Sequence, residues 1–391
     1  MAAKTTVKVS ITNNAAKNDL FNEDMYSWLS ENGGLVGNLA VLANDPGSAH
    51  LLGVSDVLPT TAAELTNGVD YVSVTVPDGT FQIKLTANAD GTVNFDASQL
   101  TDHLDYLAEG ETKTVTFYYT AQMANGAYST ARVDVVFAGD NDAPVIVAGA
   151  TDAVGAVTED AASPDLTDTG VVAFDDADIS DLHSASVVAS AGNTLGGTLT
   201  LGSVVEDGAG GVGNGTVGWA YNVANANTQY LGAGVTATET FNVTISDGHG
   251  GSVTQAVTVT VTGVNDAATI TVNGVPDTSV TEDAAGNNTA GGDLDVSDVD
   301  AGEAVFQSPA SLAGTYGTFA FDADTGTWGY TLNNGDTDTQ ALGAGVTGTE
   351  SLVVKSLDGT ASTTISVTVT GVNDGPDAVN DTALVDEDAT T

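Results

Sequence analysis

A chain of 391 residues with 52 acids, 7 bases and a net charge of −45 has a surface that repels nucleic acid and anionic membranes and attracts divalent cations. Cysteine is absent, so disulfides cannot hold small modules together, and metal is the obvious substitute. No apolar run approaches the ~18 residues of a membrane span, and Met-Ala-Ala-Lys-Thr-Thr-Val-Lys-Val-Ser lacks the apolar core of a secretory signal.

The charge is uneven. Six cations (Lys4, Lys8, Lys17, Lys84, Lys113 and Arg132) precede residue 141, and residues 141–391 set 35 acids against Lys355 alone. Aromatics are few while Gly, Thr and Val abound, which suits strands and turns. Regular apolar alternation argues against the disorder that such acidity would otherwise imply.

In chain order, Val7, Val9 and Ile11 predict a strand over 4–12. It is either the first strand of a sandwich or a basic arm that adds to a neighbouring subunit. Residues 21–32 read as a short helix closed by Gly33-Gly34. Strands are expected at 69–76, 79–86 and around Val93 and Phe95, and Ser98 as the cap of a helical turn through Leu100, Leu104 and Leu107. Thr114–Thr120 and Ser129–Phe137 flank the hairpin signal Asn125-Gly126. Next come strands at Val145–Val147 and Val154–Thr158 and an acidic loop, Asp175-Asp176-Ala177-Asp178. A hairpin pairs Gly197–Leu201 with Gly215–Val223 across the Gly-rich loop 206–215. Phe241–Ser246 and Ser252–Thr262 flank Asp247-Gly248. The plan then repeats, with an acidic loop Asp295-Val-Ser-Asp298-Val-Asp300, a hairpin over 317–332, Leu352–Lys355, Asp358-Gly359 and a last strand to Thr370. Short strands at this spacing predict an all-β fold of tandem Greek-key (Ig/cadherin-like) β-sandwich modules in an elongated array.

One element recurs and divides the chain. Val-Thr-Val-Thr-Gly-Val-Asn-Asp occupies 259–266 and 367–374, and a looser copy, Val-Phe-Ala-Gly-Asp-Asn-Asp-Ala-Pro, occupies 136–144. Such self-similarity marks tandem modules. We read 1–140 as a sandwich with short helical insertions, 141–266 and 267–374 as two more sandwiches, and 375–391 as the start of a fourth, expected to continue in a longer protein.

The acids recur with the repeat. Glu159-Asp160, Glu282-Asp283 and Glu387-Asp388 follow Asp142, Asp266 and Asp374 by 17, 16 and 13 residues. One Asp-x-Asp loop per repeat adds Asp176/Asp178 and Asp298/Asp300, and the loop between the last two strands adds Asp247 or Asp358. Turn chemistry alone accounts for Asp78, Asp90 and Asp207, but not for Glu beside Asp at matched offsets. In stacked sandwiches these groups converge on each junction and supply the carboxylate and carbonyl oxygens that calcium needs. The first junction would use Asp140, Asn141, Asp142, Asp176, Asp178 and Asp247. The second would use Glu159, Asn265, Asp266, Asp298, Asp300 and Asp358, and the third Glu282, Asn373 and Asp374. The first module lacks an Asp-x-Asp loop, and Glu23-Asp24 is its candidate acidic pair.

Catalytic patterns are missing. His50, His103, His183 and His249 are scattered without zinc spacing, no Ser/His/Asp arrangement stands out, and Trp219 and Trp328 occupy equivalent hairpin positions that read as core. We therefore expect a non-enzyme, with an accessory role beside a catalytic domain as the enzymatic alternative.

The phrases Gly-Thr-Trp-Gly-Tyr-Thr-Leu (326–332), Leu-Gly-Ala-Gly-Val-Thr-Gly-Thr-Glu (342–350) and Val-Thr-Val-Thr-Gly-Val-Asn-Asp resemble the VCBS repeat. Asp-Asn-Asp-Ala-Pro followed by Glu and Asp-x-Asp is similar to cadherin-type modules. The resemblance covers 138–391; within 1–137, Asn38–Asp45 and Leu107–Thr112 resemble cadherin-like relatives. Ala267-Ala268 departs from the pattern, which has Pro there. Such repeats occur in RTX-type bacterial surface adhesins. The resemblance implies an extracellular or cell-surface location, type I secretion, calcium rigidification, and a stalk or adhesion role toward a cell-surface or matrix ligand. The alternative is a self-assembling subunit of a filament, matrix fibre or surface layer, associating through its basic N-terminal module.

Overall fold

A computed structural model of the chain describes residues 5–11, 20–21, 35–43, 45, 49–60, 63–124, 126–160, 162–206 and 214–375, with side chains from residue 35 onward. The expected helix over 21–32 lies outside these residues except for Phe21, which sits in a strand. Glu23-Asp24, Asn125, Asp207 and residues 376–391 with Glu387-Asp388 also lie outside them.

The first nine strands are β1 (Thr5–Ile11), β2 (Leu20–Phe21), β3 (Val36–Leu39), β4 (His50–Ser55), β5 (Val69–Val76), β6 (Gly79–Ala87), β7 (Val93–Asp96), β8 (Thr112–Gln122) and β9 (Tyr128–Ala138). Then come β10 (Val145–Ile146), β11 (Val154–Thr158), β12 (Asp165–Asp175), β13 (Ser184–Ala189), β14 (Thr198–Glu206), β15 (Gly215–Ala224), β16 (Thr236–Ser246) and β17 (Ser252–Thr262). The last are β18 (Thr269–Asp277), β19 (Ser279–Thr281), β20 (Thr289–Ser297), β21 (Gly317–Phe321), β22 (Thr327–Leu332), β23 (Thr347–Lys355) and β24 (Ser362–Thr370), with a one-turn helix α1 (Thr337–Gln340) before β23. The architecture is all-β and sandwich-like, as the alternation predicts.

Two compact units divide the chain. The first comprises Met1–Val157, Thr167–Val223 and Thr238–Thr260. Its sheets β2-β1-β9-β8-β4 and β3-β7-β6-β5 share one core built around Phe95, Phe117 and Phe137. Alternation explains it: in β9 Ala131, Val133, Val135 and Phe137 are buried while their neighbours are not. Burying each large apolar side chain contributes roughly 1.5–3 kcal/mol. β1 pairs antiparallel with β9 over its whole length, so it is the sandwich strand rather than a free arm. The turn at Ser98–Leu100 is a 3-10 turn that Ser98 does not cap; Asp96 Oδ1 accepts from Ser98 N at 3.1 Å and Ser98 Oγ at 2.7 Å. The sheets β10-β12-β15-β14 and β11-β17-β16-β13 meet through Trp219, Tyr221 and Phe241, with the Tyr221 and Phe241 rings 5.9 Å apart.

The second unit comprises Thr158–Leu166, Ala224–Ala237 and Val261–Thr391. Sheets β18-β20-β22-β21 and β19-β24-β23 enclose Trp328, Tyr330, Leu352, Ile365 and Val367. Trp328 is core, as expected of it, and so is Trp219 in the first unit. Asp295, expected in the acidic loop, lies in β20 opposite Thr271 of β18, because the strand runs two residues further.

One glycine positions every Asn-Asp segment. A side chain at Gly139, Gly263 or Gly371 would strike the backbone at Leu107, Leu231 or Leu342 respectively. Each of those leucines opens a turn whose glycine has a left-handed φ, +84° at Gly110, +72° at Gly234 and +72° at Gly345. Two short bonds close the contact in the second unit, Gly263 N to Val235 O and Gly371 N to Val346 O, both 2.8 Å. The phrase Leu-x-x-Gly-x-Thr thus docks onto the strand end, and the chain leaves that strand on a fixed path toward Asn-Asp.

Candidate metal centre

In the first unit the linker, the Asp-x-Asp loop and the β16–β17 turn come together. Asp142 N donates to Asp178 Oδ2 at 2.7 Å, and Asp178 N to Asp176 Oδ1 at 3.0 Å. Asn141 Nδ2 donates to Asp247 Oδ2 at 3.1 Å, while Asp247 Oδ1 accepts from the N–H groups of His249, Gly250 and Gly251 at 2.8, 3.1 and 3.0 Å. Asp176, Asp178, Asp181 and Asp247 are buried. Burial pushes Asp178 up to about 7. It also raises Asp181 and Asp142, with neighbouring acids adding to it. Burial acts on Asp247 too, but its hydrogen bonds from Asn141 and three backbone N–H groups outweigh it and hold the carboxyl below the usual range. His183 is wedged into the cluster, with Nε2 2.9 Å from Asp176 Oδ2 and Nδ1 3.3 Å from Glu206 Oε1. Asp140 and His249 line an open cavity of about 480 Å³ with Glu109.

The second unit repeats the three bonds that tie linker, Asp-x-Asp loop and last turn together. Asp266 N donates to Asp300 Oδ2 at 2.9 Å, Asp300 N to Asp298 Oδ1 at 2.9 Å, and Asn265 Nδ2 to Asp358 Oδ2 at 3.2 Å. Burial raises Asp266, with Asp160, Asp300 and Asp298 adding repulsion. Burial opposes ionisation of Asp358 as well, yet hydrogen bonds from Ser356, Thr360 and Asn265 hold its carboxyl far below the usual range. Glu159 lies near Asp266, and its Oε2 accepts from Val264 N at 3.2 Å and its Oε1 from Gln229 Nε2 at 2.8 Å. Asp160 follows in a left-handed conformation, φ +58°. Carboxylate oxygens of Asp298, Glu303 and Asp358 lie within 4.8 Å of one another.

The third set repeats only the glutamate part of this arrangement. Glu282 repeats the Glu159 geometry, with Val372 N donating to Oε2 and Gln340 Nε2 to Oε1, both at 3.0 Å, and Asp283 again at positive φ, +53°. Asn373 and Asp374 are exposed, and Asn373 Nδ2 donates to Asp374 O at 2.9 Å.

Hydrogen bonds thus tie Asn141, Asp142, Asp176, Asp178 and Asp247 together, and likewise Asn265, Asp266, Asp298, Asp300 and Asp358, while Asp140 lines the cavity beside Asn141 and Glu159 is held at Val264 N. Two features escaped the sequence reading. Acids stand three residues after each Asp-x-Asp, at Asp181 and Glu303, and Gln229 and Gln340 hold the buried glutamates. The signal for the glutamines was present: Thr-Gln precedes both copies of Leu-Gly-Ala-Gly-Val-Thr by one residue.

The donor set fits a hard cation. Buried oxygens of Asp140, Asn141, Asp178 and Asp181 in the first cluster, and of Asp266, Asp298 and Asp300 in the second, have no hydrogen-bond partner. Leaving such atoms unpaired costs roughly 1–3 kcal/mol each. Among the described residues, no Lys or Arg forms an ion pair with them.

Fold and clusters together define a class: tandem β-sandwiches whose Asn-Asp linkers lie against buried loop carboxylates. No protein-family model matches the chain, and no curated protein is similar to it. Solved structures to which it is similar include a protocadherin gammaB7 EC3-6 cis-dimer structure, 14% identical, covering 81% of this chain and 70% of that one at a TM-score of 0.37. Another is mouse clustered PcdhgC3 EC1-3, 15% identical, covering 74% and 86% at 0.34. A third is the protocadherin GammaB4 extracellular domain, 14% identical, covering 93% of this chain but 47% of that one at 0.35.

Proposed function

We propose that the chain is a segment of an extracellular adhesion protein whose acid clusters bind calcium and stiffen the stretches that join its sandwiches. The observation that carries this reading is the set of buried carboxylate oxygens without a partner. Calcium takes six to eight oxygens at about 2.3–2.6 Å, and flexible carboxylates with carbonyls supply them. In the first cluster the ligands are drawn from Asp140, Asn141, Asp142, Asp176, Asp178 and Asp247, with Asp181 beside them. In the second they are drawn from Glu159, Asn265, Asp266, Asp298, Asp300 and Asp358, joined by Glu303. Glu282, Asn373 and Asp374 form a partial third site. Without the ion, clustered carboxylates repel and loosen the segment; with it, binding is coupled to order and stabilisation grows as RT ln(1 + [L]/Kd). Affinities of about 10⁻⁴–10⁻³ M, typical of extracellular modules, would leave the segment loose before export and stiff outside the cell. A bacterial surface adhesin exported by type I secretion is the setting that the repeat phrases favour, and the chain itself acts by binding rather than catalysis. The test is calorimetry and small-angle scattering on Asp298→Ala/Asp300→Ala. Loss of one calcium-binding class and a more variable shape supports the reading; unchanged affinity and shape rejects it.

A further inference from the structure

The acids of this chain avoid two of its sheets. In β11, β13, β16 and β17 the only acid is Glu239, which is buried and accepts from Tyr221 Oη at 2.8 Å and Leu195 N at 3.0 Å. The outward side of that sheet offers Val154, Ser186, Val188, Asn242, Thr254 and Thr258 instead, with Val154 and Val188 75% and 67% exposed. The sheet behind it carries Asp165, Asp168, Asp175 and Glu206. The second unit repeats the contrast. In β19, β23 and β24 the only acid is Glu350, buried beside Tyr330. Its outward pairs are Thr349 with Thr368, Ser351 with Ser366 and Val353 with Thr364. Lys355, the only base after Arg132, ends that row, whereas the opposite sheet carries Asp277, Asp293 and Asp295.

We propose that these neutral hydroxyl-and-methyl faces are docking surfaces for a second copy of this chain. At a net charge of −45, two copies repel wherever their acidic surfaces meet. An approach between acid-free faces avoids the short-range part of that cost. A cationic partner would favour the acidic sheets, so the neutral face is matched best by another neutral face. Thr and Val on a flat sheet offer methyl groups for contact and hydroxyls that already pair within the sheet, as Thr244 Oγ1 and Thr254 Oγ1 do at 2.9 Å. Strand spacing and rise give a four-stranded face of roughly 500 Å². Two such faces bury about 1,000 Å², at the lower edge of specific interfaces, so the association is weak and reversible.

Sedimentation velocity at rising protein concentration tests this, in EDTA with 0.5 M NaCl so that the outcome does not depend on the calcium reading and long-range repulsion is screened. The wild-type chain shows concentration-dependent, reversible association. Thr258→Asp together with Thr364→Asp weakens it at least about tenfold, because like charges then face each other. Thr200→Asp on the acidic sheet does not. Thr258→Lys/Thr364→Lys also weakens self-association, and mixing it with the Asp variant restores association between unlike copies, which guards against a variant that merely misfolds. A chain that stays monomeric at every concentration overturns the proposal. So does a monomer retained by a neutral polysaccharide matrix through these faces, or association that the substitutions leave unchanged.

Discussion

The two acid clusters share a backbone and differ in what stands against it. In both, an Asn-Asp linker gives one N–H to the second Asp of Asp-x-Asp and one side-chain amide to the Asp of the last turn. In the first cluster His183 enters between Asp176 and Glu206, and His249 approaches Asp181 at 3.8 Å. The corresponding positions in the second are Val305 and Thr360, and Glu303 replaces the shorter Asp181. The hydrogen-bonded scaffold is therefore the constant part, and the charge around it varies. Among the described residues the second cluster sets no imidazole beside its acids, and Asn265, Ser356 and Thr360 relieve Asp358 alone, whereas the first cluster has two imidazoles.

Breaking one cluster while sparing the other should have the largest effect. Asp176→Ala/Asp178→Ala should remove the calcium response of the first unit, a loss of roughly 2.7 kcal/mol of calcium-dependent stability per site at about 100-fold excess of ion over Kd. Calcium titration monitored by hydrogen exchange at residues 265–266 and 298–303 should still show protection there. Loss at both places would mean that the clusters are not independent.

His183→Val, which copies the second cluster into the first, should destabilise the calcium-free chain by about 1–3 kcal/mol, because it leaves Asp176 Oδ2 buried without that donor. With calcium bound the difference should shrink, and denaturant unfolding with and without EDTA measures it.

The clusters were legible in the sequence because their residues recur at matched offsets, and because the glycine before Asn-Asp repeats with them. Their partners were less so. Gln229 and Gln340 act through a loop that packs beside Glu159 and Glu282 only after folding, and the histidines are specific to one repeat, so periodicity could not mark them. Strand boundaries followed alternation where one face is buried, as in β11 and β17, which match their expected spans. β12 and β20 were missed or cut short because Asp and Gly interrupt their pattern; Asp295 read as loop although it pairs with Thr271. The acid-free faces needed the register, since only pairing shows that Glu239 and Glu350 point inward.

The pH response should be smaller but diagnostic. Burial raises Asp178 from 3.8 to about 7. The folded state therefore binds an extra proton between those values. The stability from that proton is complete below pH 3.8 and is lost as pH rises through about 7. In EDTA the Tm of the first unit should fall between pH 5 and pH 8, and Asp178→Asn should flatten that slope. A Tm that climbs over this window would contradict the burial of an uncompensated carboxylate.

Gln229→Ala should have the smallest effect, about 1 kcal/mol, through the lost bonds to Glu159 at 2.8 Å and Asp160 at 3.1 Å. The matching Gln340→Ala should cost as much in stability but leave calcium binding at the second cluster unchanged, which separates the complete site from the partial one.

The most direct test of the central claim is thermal unfolding of the whole chain across a calcium series at fixed 0.5 M NaCl, where diffuse counter-ion binding to a −45 surface is screened. The Tm should rise steadily with the logarithm of calcium concentration above Kd and return to its starting value in EDTA. A Tm that is the same in EDTA and in 10 mM calcium would contradict it.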